Sequence, residues 1–151
     1  MWFHIALVIA SFLSMEFMAW FTHKFVMHGF MWRFHQDHHH KNEGQFLEKN
    51  DLFFLIFAIP GILLFLAGVA GSRPILISLA TGITLYGLCY FVIHDIFIHQ
   101  RFKWLKKTDN VYLRAIRKAH KIHHKHAGKE NGECFGMLIV KLKYLRKAQG
   151  T

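Results

Sequence analysis

Histidine is the residue type in this 151-residue chain whose spacing predicts chemistry most directly. Ten of the 13 histidines fall into two copies of one pattern, H-x4-H followed by H-x2-H-H. The first copy is His23, His28, His35, His38 and His39, and the second is His94, His99, His120, His123 and His124. A repeated spacing of this kind indicates a shared role, and imidazole is a common ligand of transition metals.

Helix geometry treats the two halves of the pattern differently. Positions i, i+3 and i+4 lie on one helical face, so each H-x2-H-H triad is expected to converge. Residues five apart point about 140° apart around a straight helix. An H-x4-H pair therefore needs a bend, a helix end or two separate ions. Ten imidazoles exceed the roughly four to six ligands that one ion takes, so the sequence predicts a site for two metal ions.

The ligand type leaves the metal open. Imidazole suits iron, zinc, copper or nickel, although structural zinc sites usually include the cysteine that the pattern lacks. Carboxylates are expected close by, where each would accept the free ring N–H of a ligand. The candidates for this supporting role are Glu16, Asp37, Asp51 and Asp95. Glu16 lies seven residues before His23 and so on nearly the same helical face, whereas Asp51 is equally well explained as a helix cap.

These side chains must be positioned by helices that cross a membrane. The chain is 53% hydrophobic, and three apolar runs at about 2–21, 52–70 and 74–93 have the length that a bilayer requires. The part from 95 to 151 has no such run and is expected to form helices on the membrane surface. We therefore predict an all-α integral membrane bundle, 1–151, in one domain with three to four transmembrane helices. The N-terminal run lacks the basic flank of a cleavable signal peptide.

The three runs place all four histidine clusters at one membrane face. Of 19 Lys and Arg residues, only Arg73 then falls on the opposite side, so the positive-inside rule predicts a cytoplasmic histidine face. The net charge of +10 includes mixed aromatic and basic stretches at 101–107 and 141–147. Beside transmembrane helices, attraction to anionic lipid headgroups explains them better than binding of nucleic acid, which we do not expect.

Motifs around the histidines resemble a known family. They are ME-x2-A-x3-HK-x2-MHG from Met15 to Gly29, NDL from Asn50, YG-x2-YF-x2-HD-x3-HQR from Tyr86 to Arg101, and AH-x2-HH from Ala119 to His124. These stretches resemble the bacterial β-carotene 3-hydroxylases of the membrane fatty acid hydroxylase and sterol desaturase superfamily. The likeness runs from about Met15 to Gly136, and all ten histidines match the family's pattern.

The resemblance implies a non-haem di-iron monooxygenase of the bacterial inner membrane. It would use O2 and electrons from reduced ferredoxin to hydroxylate C3 of the β-ionone rings of β-carotene, giving β-cryptoxanthin and then zeaxanthin. The ten histidines would bind two iron ions, which zinc could replace in a purified sample. The substrate would enter from the lipid bilayer, along a groove that Phe25, Met27, Phe30 and Trp32 could line unless they serve only in packing.

Two alternatives remain open at this point. A hydroxylase or desaturase of another lipid, such as a fatty acyl chain or a sterol, would need the same histidines. A non-catalytic metal-binding membrane protein would also be rich in histidine. A transporter should hold its ligands within the spans, whereas here they lie at or beyond one end of each span.

Overall fold

The fold consists of helices, and the connection between α5 and α6 is one of the longest. The computed structural model describes residues 1–40, 46–126, 128–130 and 132–149, and these residues form no β-strand. In chain order the elements are α1 (Trp2–Phe21), π1 (Thr22–Phe30), α2 (Trp32–His39), α3 (Asp51–Ala70), α4 (Pro74–Tyr90), π2 (Phe91–Ile98), α5 (Val111–Lys125) and α6 (Leu142–Gln149). The predicted all-α class is confirmed.

Three of the helical stretches are long and apolar enough to cross a membrane. They are Trp2–Phe30, Asp51–Ala70 and Pro74–Ile98. Large apolar side chains along them point away from the protein, for example Leu13 at 62% exposure and Leu63 at 60%. A water-soluble fold would bury such side chains, whereas lipid covers them at no cost. The predicted membrane helical bundle is confirmed, and the first and third stretches end in the π-helical turns π1 and π2.

The helix α4 lies between α1 and α3 and packs against both. Small residues allow this close approach. A Cβ atom added at Gly82 would lie 1.9 Å from Oγ of Ser11 and 2.4 Å from the carbonyl oxygen of Val8, both in α1. The backbones of α1 and α4 therefore nearly touch at Gly82, which is possible only because this residue has no side chain.

The C-terminal part is built from two amphipathic helices. The side chain of Asn110 caps α5 by accepting a hydrogen bond from the backbone N–H of Leu113, at 3.1 Å. The buried face of α5 includes Ala115 and Ala119, which pack against Tyr144 and Ala148 of α6. The same face turns His120 and His123 inward, toward the ends of the spans. Residues 132–140 run between α5 and α6 without regular secondary structure.

Candidate metal centre

The ten histidines of the repeated pattern gather into two sets. Ring nitrogens of the first set all lie within 4.8 Å of one another, as do those of four members of the second. His124 joins the second set through its Nε2, which lies 2.9 Å from Nε2 of His120. The first histidine set is His23, His28, His35, His39 and His123. The second histidine set is His38, His94, His99, His120 and His124.

Each set takes four histidines from one copy of the pattern and one from the other. We expected each H-x2-H-H triad to converge as a unit, and this expectation was wrong. On an α-helix, i and i+4 are only about 40° apart, whereas i+3 is displaced about 60° to the other side. His35 and His39 therefore join the first set, while His38 crosses to the second. In α5, His123 crosses in the opposite direction.

The H-x4-H pairs lie on π-helical turns. In a π-helix the backbone bonds run from i to i+5, so residues five apart come onto one face. The N–H of His99 bonds the carbonyl of His94 at 2.9 Å, and the N–H of Met31 bonds that of Val26 at 3.0 Å. Both members of each pair consequently point into a single set. The pair His23 and His28 does so because the helix is underwound, so a second ion is not needed to explain it.

Backbone carbonyl groups orient three histidines of the first set. The Nδ1 atoms of His23, His28 and His123 lie 3.0 Å from the carbonyl oxygens of Phe135, Lys129 and Glu133, respectively. A carbonyl oxygen only accepts, so each Nδ1 carries the proton. In a neutral ring, Nε2 is then left with an unshared lone pair, which is the form that binds a metal.

Side chains orient three further histidines in the same way, by accepting a hydrogen bond from Nδ1. Nδ1 of His35 donates to Oδ1 of Asn50 at 2.6 Å. Nδ1 of His38 donates to Oε2 of Glu48 at 2.7 Å. A longer contact of 3.4 Å joins Nδ1 of His94 to Oδ2 of Asp95. Asp95, a predicted supporting carboxylate, thus lies near His94, whereas the contacts of Asn50 and Glu48 were not predicted.

The lone pairs that remain face one another across short distances. The Nε2–Nε2 separations are 3.1 Å between His23 and His35, 3.2 Å between His28 and His123, and 3.1 Å between His38 and His94. No proton lies between these nitrogens if all six rings are neutral, so the lone pairs repel unless a cation joins them. Metal–imidazole bonds of about 2.1 Å place neighbouring nitrogens about 3.0–3.4 Å apart. The residues therefore fit two metal ions, one in each set.

Burial keeps these imidazoles neutral. His35 is 1% exposed and His123 is fully buried, and desolvation lowers the pKa of each ring to about 2, with neighbouring histidines acting in the same direction. Burial and then neighbouring imidazoles also lower the pKa of His39 to about 4 and that of His124 to about 3. Neutral rings are the ones that ligate, so the site is prepared for cations at neutral pH.

Three carboxylates that we expected to orient imidazoles do something else. The hydrogen bonds of Glu16 go to Tyr86 and to backbone N–H groups of the segment 132–140. Oδ2 of Asp37 accepts from the backbone N–H of Lys49 at 2.7 Å. Asp51 accepts from the backbone N–H of Glu48, three residues before it, at 3.0 Å. For Asp51 the alternative of a helix cap also differs from the structure, because α3 has no side-chain cap.

A half-buried ionic network supports the second set from outside. Arg101 binds Oε2 of Glu48 at 3.1 Å, Oδ1 of Asp51 at 2.7 Å and Oδ1 of Asp95 at 3.2 Å. Arg101 therefore joins the carboxylates that accept from His38 and His94. Desolvation raises the pKa of Glu48, and Arg101 partly opposes that effect. The signal for this network was present in the sequence, since Glu48 and Asn50 lie beside Asp51.

Of the residues expected to line a substrate groove, some contact the histidines and others face outward. The Trp32 ring centroid lies 5.1 Å from that of His28 and 5.3 Å from that of His39. Met27 is buried in π1, whereas Phe25 and Phe30 are exposed at 47% and 82%. The lipid side of π1 thus carries exposed aromatic residues next to the first histidine set.

Together, the spans and the two histidine sets define a helical membrane protein with a site suited to two metal ions. The fatty acid hydroxylase family model matches residues 8–144, and the chain belongs to this family. The resemblance inferred from the histidine motifs is confirmed by relatives. A β-carotene hydroxylase of Pseudescherichia vulneris is 42% identical over 137 residues, which cover 89% of this chain and 76% of that protein.

Two other relatives cover still more of the chain. A β-carotene hydroxylase of Paracoccus sp. (strain N81106 / MBIC 01143) is 38% identical over 96% of this chain and 91% of that protein. A β-carotene hydroxylase of Pantoea ananas is 39% identical over 100% of this chain and 85% of that protein. No solved structure matches the chain.

Proposed function

We propose that the protein is a membrane di-iron monooxygenase that hydroxylates C3 of the β-ionone rings of β-carotene, giving β-cryptoxanthin and then zeaxanthin. One observation supports the metal centre most directly. The Nε2 atoms of buried, Nδ1-protonated histidines lie 3.1–3.2 Å apart, with their lone pairs facing one another. The substrate class is supported by relatives named β-carotene hydroxylases that align over nearly the whole chain.

The reaction balances as an oxygen insertion. The ring C–H bond becomes C–OH, the second oxygen atom of O2 leaves as water, and a donor supplies two electrons while two protons are taken up. Iron bound by the two histidine sets would supply the oxidising power that an unactivated C–H bond requires. A ring C–H bond offers no charge or polar group to grip, so the protein's task is to position the ring and to exclude water.

The chain's own residues perform three parts of this task. The two sets point their imidazoles inward, and burial disfavours the protonated form of His35, His123 and His124. The network around Arg101 and the carbonyls of Glu133, Phe135 and Lys129 fix ring orientation, which sets where the metals sit. Burial of His35 and His123 keeps bulk water from the space between the rings.

A hydrocarbon substrate must reach the sets from the lipid side. β-Carotene is dissolved in the bilayer, and both π1 and π2 belong to helices long enough to span it. Phe25 and Phe30 are exposed on π1, and Trp32 follows at the start of α2 against His28. We propose that these aromatic residues guide one end of the carotenoid toward the first histidine set.

Reduced ferredoxin is the electron donor that we propose. The outward side of α5 carries Lys118, Lys121 and Lys125, on the same helix that supplies three histidines on its inward side. A basic surface attracts an acidic redox protein, and this attraction weakens as salt screens it. Electron transfer would then cross only the width of one helix.

We further propose that residues 1–151 form one domain in the bacterial inner membrane, with both histidine sets at the cytoplasmic face. The charge distribution supports this orientation, because Arg73 alone among the 19 Lys and Arg residues lies in the turn between α3 and α4, at the opposite end of the spans.

The test is expression in bacterial cells that accumulate β-carotene, followed by chromatography of the pigments. Zeaxanthin, with β-cryptoxanthin as an intermediate, is the expected product. Cells carrying His99→Ala provide the matched control and should keep their β-carotene. Unchanged β-carotene together with newly hydroxylated or desaturated fatty acids would assign the protein to another lipid. Purified protein that binds iron but yields no oxidised lipid would instead indicate a metal-binding protein.

A further inference from the structure

Glu16 holds the C-terminal segment 132–140 from inside the first span. It is only 6% exposed. Its Oε1 accepts from the backbone N–H groups of Met137, Leu138 and Ile139 at 3.0, 2.9 and 2.9 Å. Its Oε2 accepts from the hydroxyl of Tyr86 at 2.7 Å and from the N–H of Leu138 at 3.0 Å. One carboxylate thus satisfies three consecutive N–H groups that have no helical or strand partner.

The residues just before this anchor contact the first histidine set. The carbonyl of Glu133 accepts from His123 and that of Phe135 accepts from His23, each at 3.0 Å. The Phe135 ring centroid also lies 5.4, 5.1 and 5.2 Å from those of His23, His28 and His123. The segment therefore orients or packs on three of the five rings in this set.

The segment 132–140 packs tightly at two glycines, one before and one after Phe135. A Cβ atom added at Gly136 would lie 2.9 Å from Oε1 of Glu16. A Cβ atom at Gly132 would lie 2.9 Å from the Phe135 ring. Glycine at these two positions lets the chain lie against Glu16 on one side and leaves room for the aromatic ring on the other.

Orientation of the second set comes from elsewhere. Glu48 accepts from His38, and Asp95 accepts from His94. Both of these carboxylates are joined by Arg101, which has no bond to Glu16. Hydrogen bonds from the segment 132–140 thus orient His23 and His123, whereas the Arg101 network orients His38 and His94.

We propose that Glu16 is a positioning residue for the first metal ion only: it fixes the segment 132–140, whose carbonyls and phenyl ring set the orientation of His23 and His123. The inference rests on the proposed two-metal centre. Without the anchor, an irregular segment gains conformational freedom, so the carbonyl partners of the imidazoles are no longer held in place. The ligands themselves remain, and the second set keeps its own support.

The experiment measures iron(II) per chain and the rates at which a chelator removes it from detergent-purified protein. Reference variants His28→Ala and His99→Ala identify which release phase belongs to which set. In Glu16→Ala we expect release from the first set to be roughly 10- to 100-fold faster, with release from the second set unchanged. Glu16→Gln keeps one acceptor oxygen and should fall between this variant and the unaltered protein.

Two further variants separate positioning from general destabilisation. Gly136→Ala keeps Glu16 but pushes the segment away from it, because the added Cβ atom would lie 2.9 Å from Oε1. This variant should reproduce the selective loss even if Glu16→Ala fails to fold. Tyr86→Phe removes another buried hydrogen bond to Glu16 but leaves the segment anchored, so both release phases should stay near their original rates. Equal acceleration of both phases, or of neither, would overturn the inference while leaving the proposed function intact. Failure of the unaltered protein to bind two irons would overturn both.

Discussion

Nε2 of His28 lies 3.2 Å from Nε2 of His123, although 95 residues separate them in the chain. The contact joins the first copy of the histidine pattern to the second, and His38 makes the reciprocal contact with His94 at 3.1 Å. Neither copy therefore completes a set by itself. The proposed metal centre therefore forms only when the helices pack together, because packing brings the two copies of the pattern into contact.

Replacing His123 with Ala should abolish carotenoid hydroxylation and remove iron from the first histidine set. His123 is fully buried and contributes the one ligand that crosses into that set from α5. Pigment chromatography and iron analysis measure the two effects. His4→Ala is the control, because His4 bonds Ser78 near the other end of the spans and belongs to neither set. Retained activity in His123→Ala would contradict the site assignment.

Asn50 is predicted to matter through its side-chain oxygen. In Asn50→Leu, Nδ1 of His35 loses the acceptor that lies 2.6 Å away, and iron affinity should fall roughly 10- to 100-fold. Asn50→Asp keeps an acceptor oxygen in the same place and should retain most of the affinity. Competition with a chelator measures the iron affinity of both variants. If the two variants behave alike, orientation of His35 by hydrogen bonding is not what Asn50 provides.

Acid should release the metal and weaken the metal-free fold. An unfolded histidine has a pKa near 6.5, whereas the pKa is about 4 for His39 and about 3 for His124 in the folded chain. Between those values the unfolded chain binds more protons, so stability falls as the pH drops below about 6.5. The fall continues to about pH 2, because the pKa of His35 and of His123 is about 2 in the folded chain. Thermal unfolding and iron retention, measured across this pH range, test whether stability and metal binding fall as the pH drops. Iron fully retained near pH 4 would argue against a shell of histidines.

Two glycines of α4 should respond oppositely to alanine. A Cβ atom at Gly82 would overlap Ser11 and Val8, so Gly82→Ala must separate α1 from α4 and should cost about 1–3 kcal/mol. A Cβ atom at Gly87 meets nothing within 4 Å, and Gly87→Ala should be neutral or stabilising by up to about 1 kcal/mol through helix propensity. Thermal unfolding in detergent compares them. A destabilised Gly87→Ala would indicate that α4 has another neighbour.

The orientation in the membrane can be tested with single cysteines in a background where Cys89 and Cys134 are Ser. A membrane-impermeant thiol reagent applied to intact spheroplasts should label Arg73→Cys and spare Lys107→Cys. Both should react after lysis, which controls for local accessibility. Labelling of Lys107→Cys in intact spheroplasts would reverse the proposed cytoplasmic location of the histidine face.

The local sequence pattern was sufficient to predict the three spans and to single out the ten histidines that gather in the fold. Apolar runs of about 20 residues are typical of membrane-spanning helices, and a doubled H-x4-H…H-x2-H-H spacing is improbable by chance. The same local reasoning explains why His35 and His39 share a set, since i and i+4 are neighbours on any α-helix, but it wrongly included His38 with them.

The local sequence pattern could not predict where a helix changes from α to π winding, or which residues distant in the chain come into contact. The 140° argument for His23 and His28 assumed an α-helix, and the π-helical turn removes that assumption. Glu16 was expected to orient an imidazole, but its backbone partners lie more than 120 residues away, in a segment with no regular structure. Hydrogen bonds of that kind depend on how the finished fold closes.

The crossing of His38 and His123 between the sets also bears on how the protein matures. While the chain is still being synthesised and only the first copy has emerged, the first set lacks His123 and the second is represented by His38 alone. Full ligation of either ion has to wait until α5 has been made and has docked against π1 and π2. Completion of both sets, and with it of the proposed metal centre, is thereby coupled to synthesis and docking of α5.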